Sequence, residues 1–195
     1  MDAEQIVMLR EVLSATGWLE RTQDFGRALR VTSRTPGGLL LVGTPGGDPW
    51  HLAAHLDDES RLGDAPGLAP TLVRWSPPPD APPHLSIGLS RLEEARRGET
   101  LFVVAEDEAP VPLLERVDDA RRVGATILAL DGGDRELEGL AHEALTVPAD
   151  EALLSFDGAQ HLVSAAAGQE PARGARGLRH RLARLLEAVT GPTVD

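Results

Sequence analysis

The stretch Gly98-Glu99-Thr100-Leu101-Phe102-Val103-Val104, followed after a short loop by Leu113-Leu114-Glu115-Arg116-Val117-Asp118-Asp119-Ala120-Arg121-Arg122-Val123-Gly124-Ala125-Thr126-Ile127-Leu128-Ala129-Leu130, decides how this 195-residue chain folds. Its two ends are short apolar runs without strict alternation, the pattern of strands buried on both faces. Between them, apolar residues recur at helical spacing from near Pro110 until Gly124 ends the helix. Strand, helix, strand in that order implies a right-handed crossover joining parallel strands.

Working outward, three more runs read as strands: Leu39-Leu40-Leu41-Val42, Thr71-Leu72-Val73 and Ala144-Leu145-Thr146-Val147. Helices are expected over 48–61, with Asp48 as N-cap and Pro49 at the first helical position, and over 85–97, where Gly98 stops the pattern. A short helix follows Asp134, and another suits 150–167. Two helices, 3–16 and 18–33, precede the first strand, the former closed by Gly17. Five prolines in 75–83 exclude helix and inner strand and leave a stiff surface loop. A Gly/Ala/Arg/Pro-rich link, 168–177, leads to a final helix at 178–190. The expected fold class is α/β: a three-layer α/β/α sandwich around a five-stranded parallel sheet, as one domain over 1–195. In it, 1–35 form an N-terminal helical arm, 36–167 the core and 178–190 a C-terminal helix.

Composition narrows the chemistry. There is no cysteine, which removes redox chemistry, thiolate nucleophiles and cysteine-bound zinc. All 19 basic residues are arginine, so Schiff-base lysines and a P-loop lysine are excluded. Tyrosine is absent too, leaving His, Asp, Glu, Ser, Thr and Arg to carry any reaction. A net charge of -12 argues against nucleic acid as a partner. No run reaches the roughly 18 apolar residues of a membrane helix, and the start lacks a basic signal-peptide region, so no membrane partner and a cytoplasmic location are expected.

Two motifs stand out. Gly43-Thr44-Pro45-Gly46-Gly47 lies between a strand and a helix, where a phosphate cradle belongs, although Pro45 removes one amide and the spacing is not that of a dinucleotide turn. His51 and His55 stand four residues apart, so both imidazoles leave one helix face. Two nitrogens so placed suit a half-buried subunit contact or a zinc ion. His51-Leu52-Ala53-Ala54-His55 carries no glutamate between its histidines, which removes metalloprotease chemistry. Ser86, Ser90, Ser155 and Ser164 read as surface or cap residues. The run Arg173, Arg176, Arg179, Arg181, Arg184 reads as a partner for acidic surfaces within the molecule or between subunits.

The core quoted above, ending with Leu137-Glu138-Gly139-Leu140-Ala141-His142-Glu143-Ala144-Leu145-Thr146-Val147-Pro148, resembles the sugar isomerase (SIS) family over residues 36–165. Within that family the early half looks most like phosphoheptose isomerases. The resemblance implies a sugar-phosphate ligand, a crevice at the carboxyl ends of the strands and a homodimer or homotetramer with sites between subunits. It implies an aldose–ketose isomerase if the protein is an enzyme. It places Thr44, Gly46, Gly47, Glu106 and Asp107 at the ligand, His51, His55 and His161 at a possible zinc site, and His161 with Asp157 as acid and base. The sequence departs where the family's Ser/Thr-rich phosphate loop would lie, for it reads Ala105-Glu106-Asp107-Glu108-Ala109-Pro110. Three carboxylates there are solvated acids at a helix's positive end, or recognise a cation, metal or amine, or leave a phosphosugar site in place. The alternative function is a non-catalytic SIS-fold module for oligomerisation or regulation that has lost phosphosugar binding.

Overall fold

The computed structural model describes residues 13–82 and 85–169. The expectations for a helix at 3–16, the 168–177 link, the 178–190 helix and its arginines fall almost wholly outside them. Five parallel strands form one sheet in the order β2-β1-β3-β4-β5. They are β1 (Leu39–Val42), β2 (Pro70–Val73), β3 (Thr100–Ala105), β4 (Thr126–Asp131) and β5 (Glu143–Thr146). β3 sits at the centre, with Leu101 opposite Leu40 on one side and Ile127 on the other. All six of its residues are buried, which is why its sequence is apolar at both parities.

Helices cover both faces. On one lie α1 (Trp18–Thr32), α2 (Trp50–Leu62) and a later helix, α6 (Phe156–Ala167); on the other lie α3 (Ser90–Glu93), α4 (Val111–Arg122) and α5 (Arg135–Leu140). Leu39, Leu41, Phe102, Val104, Leu128 and Leu130 face the first layer, while Leu40, Val42, Leu101, Val103, Ile127 and Ala129 face the second. α1 turns Trp18, Thr22, Phe25, Gly26 and Leu29 inward at helical spacing. A Cβ on Gly26 would lie 2.5 Å from the Ala166 methyl, so α1 and α6 cross almost backbone to backbone. The α/β three-layer sandwich is thus the observed fold.

Three local expectations are corrected. The helix expected over 85–97 shrinks to α3, because Arg74 N–H donates to the Ile87 carbonyl at 2.8 Å and draws that segment into a bridge beside β2. The helix expected from 150 starts at Phe156, because Ser155 is its N-cap, accepting from Gly158 N–H at 3.1 Å. Asp48 does not cap α2. Its carboxylate accepts from Arg74 Nε at 2.7 Å, and Pro49 occupies the cap position.

Candidate functional site

At the carboxyl ends of β1 and β3 the chain leaves a cleft of about 180 Å³. Two loops and two helix starts build it. The loop after β1 contributes Thr44, Gly46, Gly47 and Asp48, and the loop after β3 contributes Glu106 and Asp107. Pro49 and His51 line it from the start of α2, and Phe156, Asp157 and Gln160 from the start of α6, with Val104 from the sheet beneath.

The first loop is tightly determined. Trp75 Nε1 donates to the Gly43 carbonyl at 2.8 Å, and Gly47 N–H donates to the Thr44 carbonyl at 3.1 Å. A Cβ on Gly43 would fall 2.1 Å from the Gly47 carbonyl oxygen and 2.7 Å from the Pro49 ring, so only glycine fits there. The Asp48–Arg74 ion pair, half-buried on both sides, closes the loop against the end of β2. Arg74 is thereby engaged by Asp48.

The second loop is pinned from β4. Asp131 Oδ1 accepts from Gly133 and Asp134 N–H at 2.7 and 3.2 Å. Asp134 in turn caps α5 at the amides of Glu136 and Leu137 and accepts from Ala109 N–H at 2.8 Å. A Cβ on Gly132 would lie 2.2 Å from the Glu106 carbonyl. Burial pushes the Asp131 carboxyl up to about 6 against the pull of those two amides, and its Oδ2 is buried without a hydrogen-bond partner. The side chains of Glu106, Asp107 and Glu108 are exposed, and none of the ion pairs among the described residues includes them.

Of the residues singled out from sequence, Thr44, Gly46, Gly47, His51, Glu106, Asp107 and Asp157 all line this one cleft. His55 and His161 do not. They meet each other between α2 and α6, ring centroids 4.5 Å apart and edge to face. Burial lowers the affinity of both for a proton, and each is lowered further by a neighbouring histidine. His161 Nδ1 is buried with no partner. The His51 ring instead stacks on Trp50, centroids 3.4 Å apart. Among the described residues no three of His, Asp and Glu come together as a metal-holding group. Asp157 Oδ1 accepts from Gln160 Nε2 at 3.0 Å, which fixes the amide at the cleft wall. Sequence reading missed Asp48 and Phe156 as parts of the lining.

No family model and no curated protein matches the sequence. Solved structures are similar in fold. A Salmonella typhimurium LT2 protein named for sugar binding matches with a TM-score of 0.55 at 19% identity, over 93% of this chain and 52% of that one. A Silicibacter pomeroyi DSS-3 protein named as a phosphosugar isomerase matches with a TM-score of 0.50 at 16% identity, over 95% of this chain and 51% of that one. The chain therefore spans about half the length of either, and what it shares with them is the α/β sandwich fold.

Proposed function

We propose that this protein binds a carbohydrate derivative in the cleft between the Gly43–Pro49 loop and the Glu106–Asp107 loop, and that the ligand carries no phosphate. The observation that carries this reading is the lining among the described residues: four carboxylates (Asp48, Glu106, Asp107, Asp157), a threonine, a glutamine and an imidazole, with no arginine. Such groups accept from and donate to sugar hydroxyls, and the free carboxylates favour an amine on the sugar. A phosphate meets the opposite field. Two unit charges about 5 Å apart at an effective dielectric near 20 repel by roughly 3 kcal/mol, before screening. The starts of α2 and α6 return only about 1 kcal/mol each.

An aldose–ketose isomerisation would need a base within reach of the sugar carbon; Asp157 lines the cleft, while His161 packs on His55 outside the lining. That separation, with carboxylates where a phosphate loop would offer hydroxyls, favours the second reading: a non-catalytic module acting through a homodimer or homotetramer. The zinc reading, carried by His51, His55 and His161, is tested by elemental analysis of chelator-free protein.

Calorimetric titration of glucosamine and glucosamine 6-phosphate tests the main reading. Tighter binding of the unphosphorylated sugar is expected, with the phosphate ester gaining affinity in Glu106→Gln/Asp107→Asn. Tighter binding of the ester to the unaltered protein overturns the exclusion of phosphate, and silence of both sugars overturns sugar binding.

A further inference from the structure

The turn over 131–134 holds the acidic loop at both of its ends. Gly132 N–H donates to the Ala105 carbonyl at 3.0 Å, directly before Glu106, and Asp134 Oδ2 accepts from Ala109 N–H at 2.8 Å, directly after Glu108. Glu106, Asp107 and Glu108 thus hang between two hydrogen bonds made by one turn. Asp131 shapes that turn: its Oδ1 accepts from the Gly133 and Asp134 amides. The residue is 0% exposed, and its Oδ2 is buried without a hydrogen-bond partner. The charges that act on it are both negative, Glu138 on α5 and Asp134 in the turn itself. β5 sets Thr146 beside it, with a hydroxyl that donates to Glu138, and β3 sets Ala105. None of the ion pairs among the described residues includes Asp131.

We infer that Asp131 is a proton-operated latch on the acidic loop: neutral, it keeps the turn closed on Ala105 and Ala109, and ionised, it favours release of the loop. A carboxylate sealed from water beside two others has no cation to offset its charge, so the closed turn prefers the neutral form. An open turn, with Asp131 in water, has no such preference. By linkage, losing the proton then favours opening. The two turn amides act the other way, but burial outweighs them and the carboxyl is raised from 3.8 to about 6. The latch therefore holds fully below about pH 4 and weakens as pH rises through about 6. It decides where Glu106 and Asp107 stand, and so ties the field of the cleft to acidity whatever ligand the cleft takes. His55 and His161, which burial also shifts, lie between α2 and α6 on the opposite face of the sheet from α5.

Amide hydrogen exchange of the full chain at pH 5 and pH 7 reads the latch directly. If the turn opens by itself, the amides of Ala109, Gly133 and Asp134 are less protected than those of Phe102 and Leu128 in the sheet. Their protection factors should fall about tenfold from pH 5 to pH 7, the change that linkage gives for a carboxyl raised from 3.8 to about 6. Asp131→Asn keeps an oxygen for the turn amides and cannot ionise, so it should remove the fall. Protection of the three amides equal to that of the sheet would mean that the loop opens only with the whole chain, and overturns the inference. Equal protection at the two pH values in the unaltered protein overturns it too, and that result needs no variant to fold. A tenfold fall that persists in Asp131→Asn assigns the titration to another group and overturns it as well.

Discussion

The two loops that border the cleft have backbones fixed by the same device and side chains treated in opposite ways. After β1, an inner glycine lets the chain fold onto itself, and the loop's one acid, Asp48, is neutralised by Arg74. After β3, the backbone is held from the neighbouring turn through Gly132 and Asp134, and three acids stand in solvent. The difference separates two tasks. The first loop supplies a preorganised wall, so its residues matter for stability. The second sets the field of the cleft, so its side chains matter for which ligand enters.

The largest effect should come from breaking the first wall. Gly43→Ala forces a Cβ against backbone and a proline ring, and we expect a loss of about 3 kcal/mol, read as a melting temperature lower by roughly 10 °C. Gly46→Ala, whose Cβ would find only the Thr44 hydroxyl at 3.9 Å, should melt within about 2 °C of the unaltered protein. Equal effects of the two would erase the contrast within the loop. Next comes Trp75→Phe, which leaves the Gly43 carbonyl without its donor and should cost about 1–2 kcal/mol in denaturant unfolding.

Acidity distinguishes the anchor of the second loop. The Asp131 carboxyl takes its proton more readily in the folded chain than its ordinary 3.8, so its contribution to stability is complete below pH 4 and is lost as pH rises through about 6. Asp131→Asn should flatten that fall in unfolding free energy between pH 4 and 6. His55 and His161 act in the other direction: held neutral by burial, they lower stability as pH drops below 6.5. An unchanged pH profile in Asp131→Asn would mean that the buried carboxyl is not the titrating group. The smallest effect on stability belongs to Glu106→Gln/Asp107→Asn, expected within about 0.5 kcal/mol because both side chains are exposed. The same pair should bind glucosamine 6-phosphate at least about tenfold more tightly, since one tenfold step needs only 1.4 kcal/mol of relieved repulsion.

The sheet was legible because burial on both faces leaves an unmistakable apolar run, and all five runs became strands. Helix ends were less so. Whether Asp48 caps α2 or pairs with Arg74, 26 residues away in sequence, is decided by a tertiary contact that no local pattern carries. The same holds for 85–97, where pairing beside β2 overrides helical spacing. In the cleft, the glycine-rich turn and the acidic loop were visible as departures from ordinary loop composition, and their neighbourhood in space follows from β1 and β3 being adjacent. The fate of the histidines was not visible, since i, i+4 spacing shows a shared face but not what packs on it: His51 turned to Trp50 and His55 to His161.

The central claim, that one cleft between these loops takes a sugar derivative, is tested most directly by amide chemical-shift mapping of the 20.8 kDa chain during titration with glucosamine. The account predicts saturable shifts confined to Thr44–Asp48 and His51, Glu106 and Asp107, and Phe156–Gln160, with the α3, α4 and α5 layer silent. Shifts centred on that layer, or no saturable shift anywhere, would contradict it.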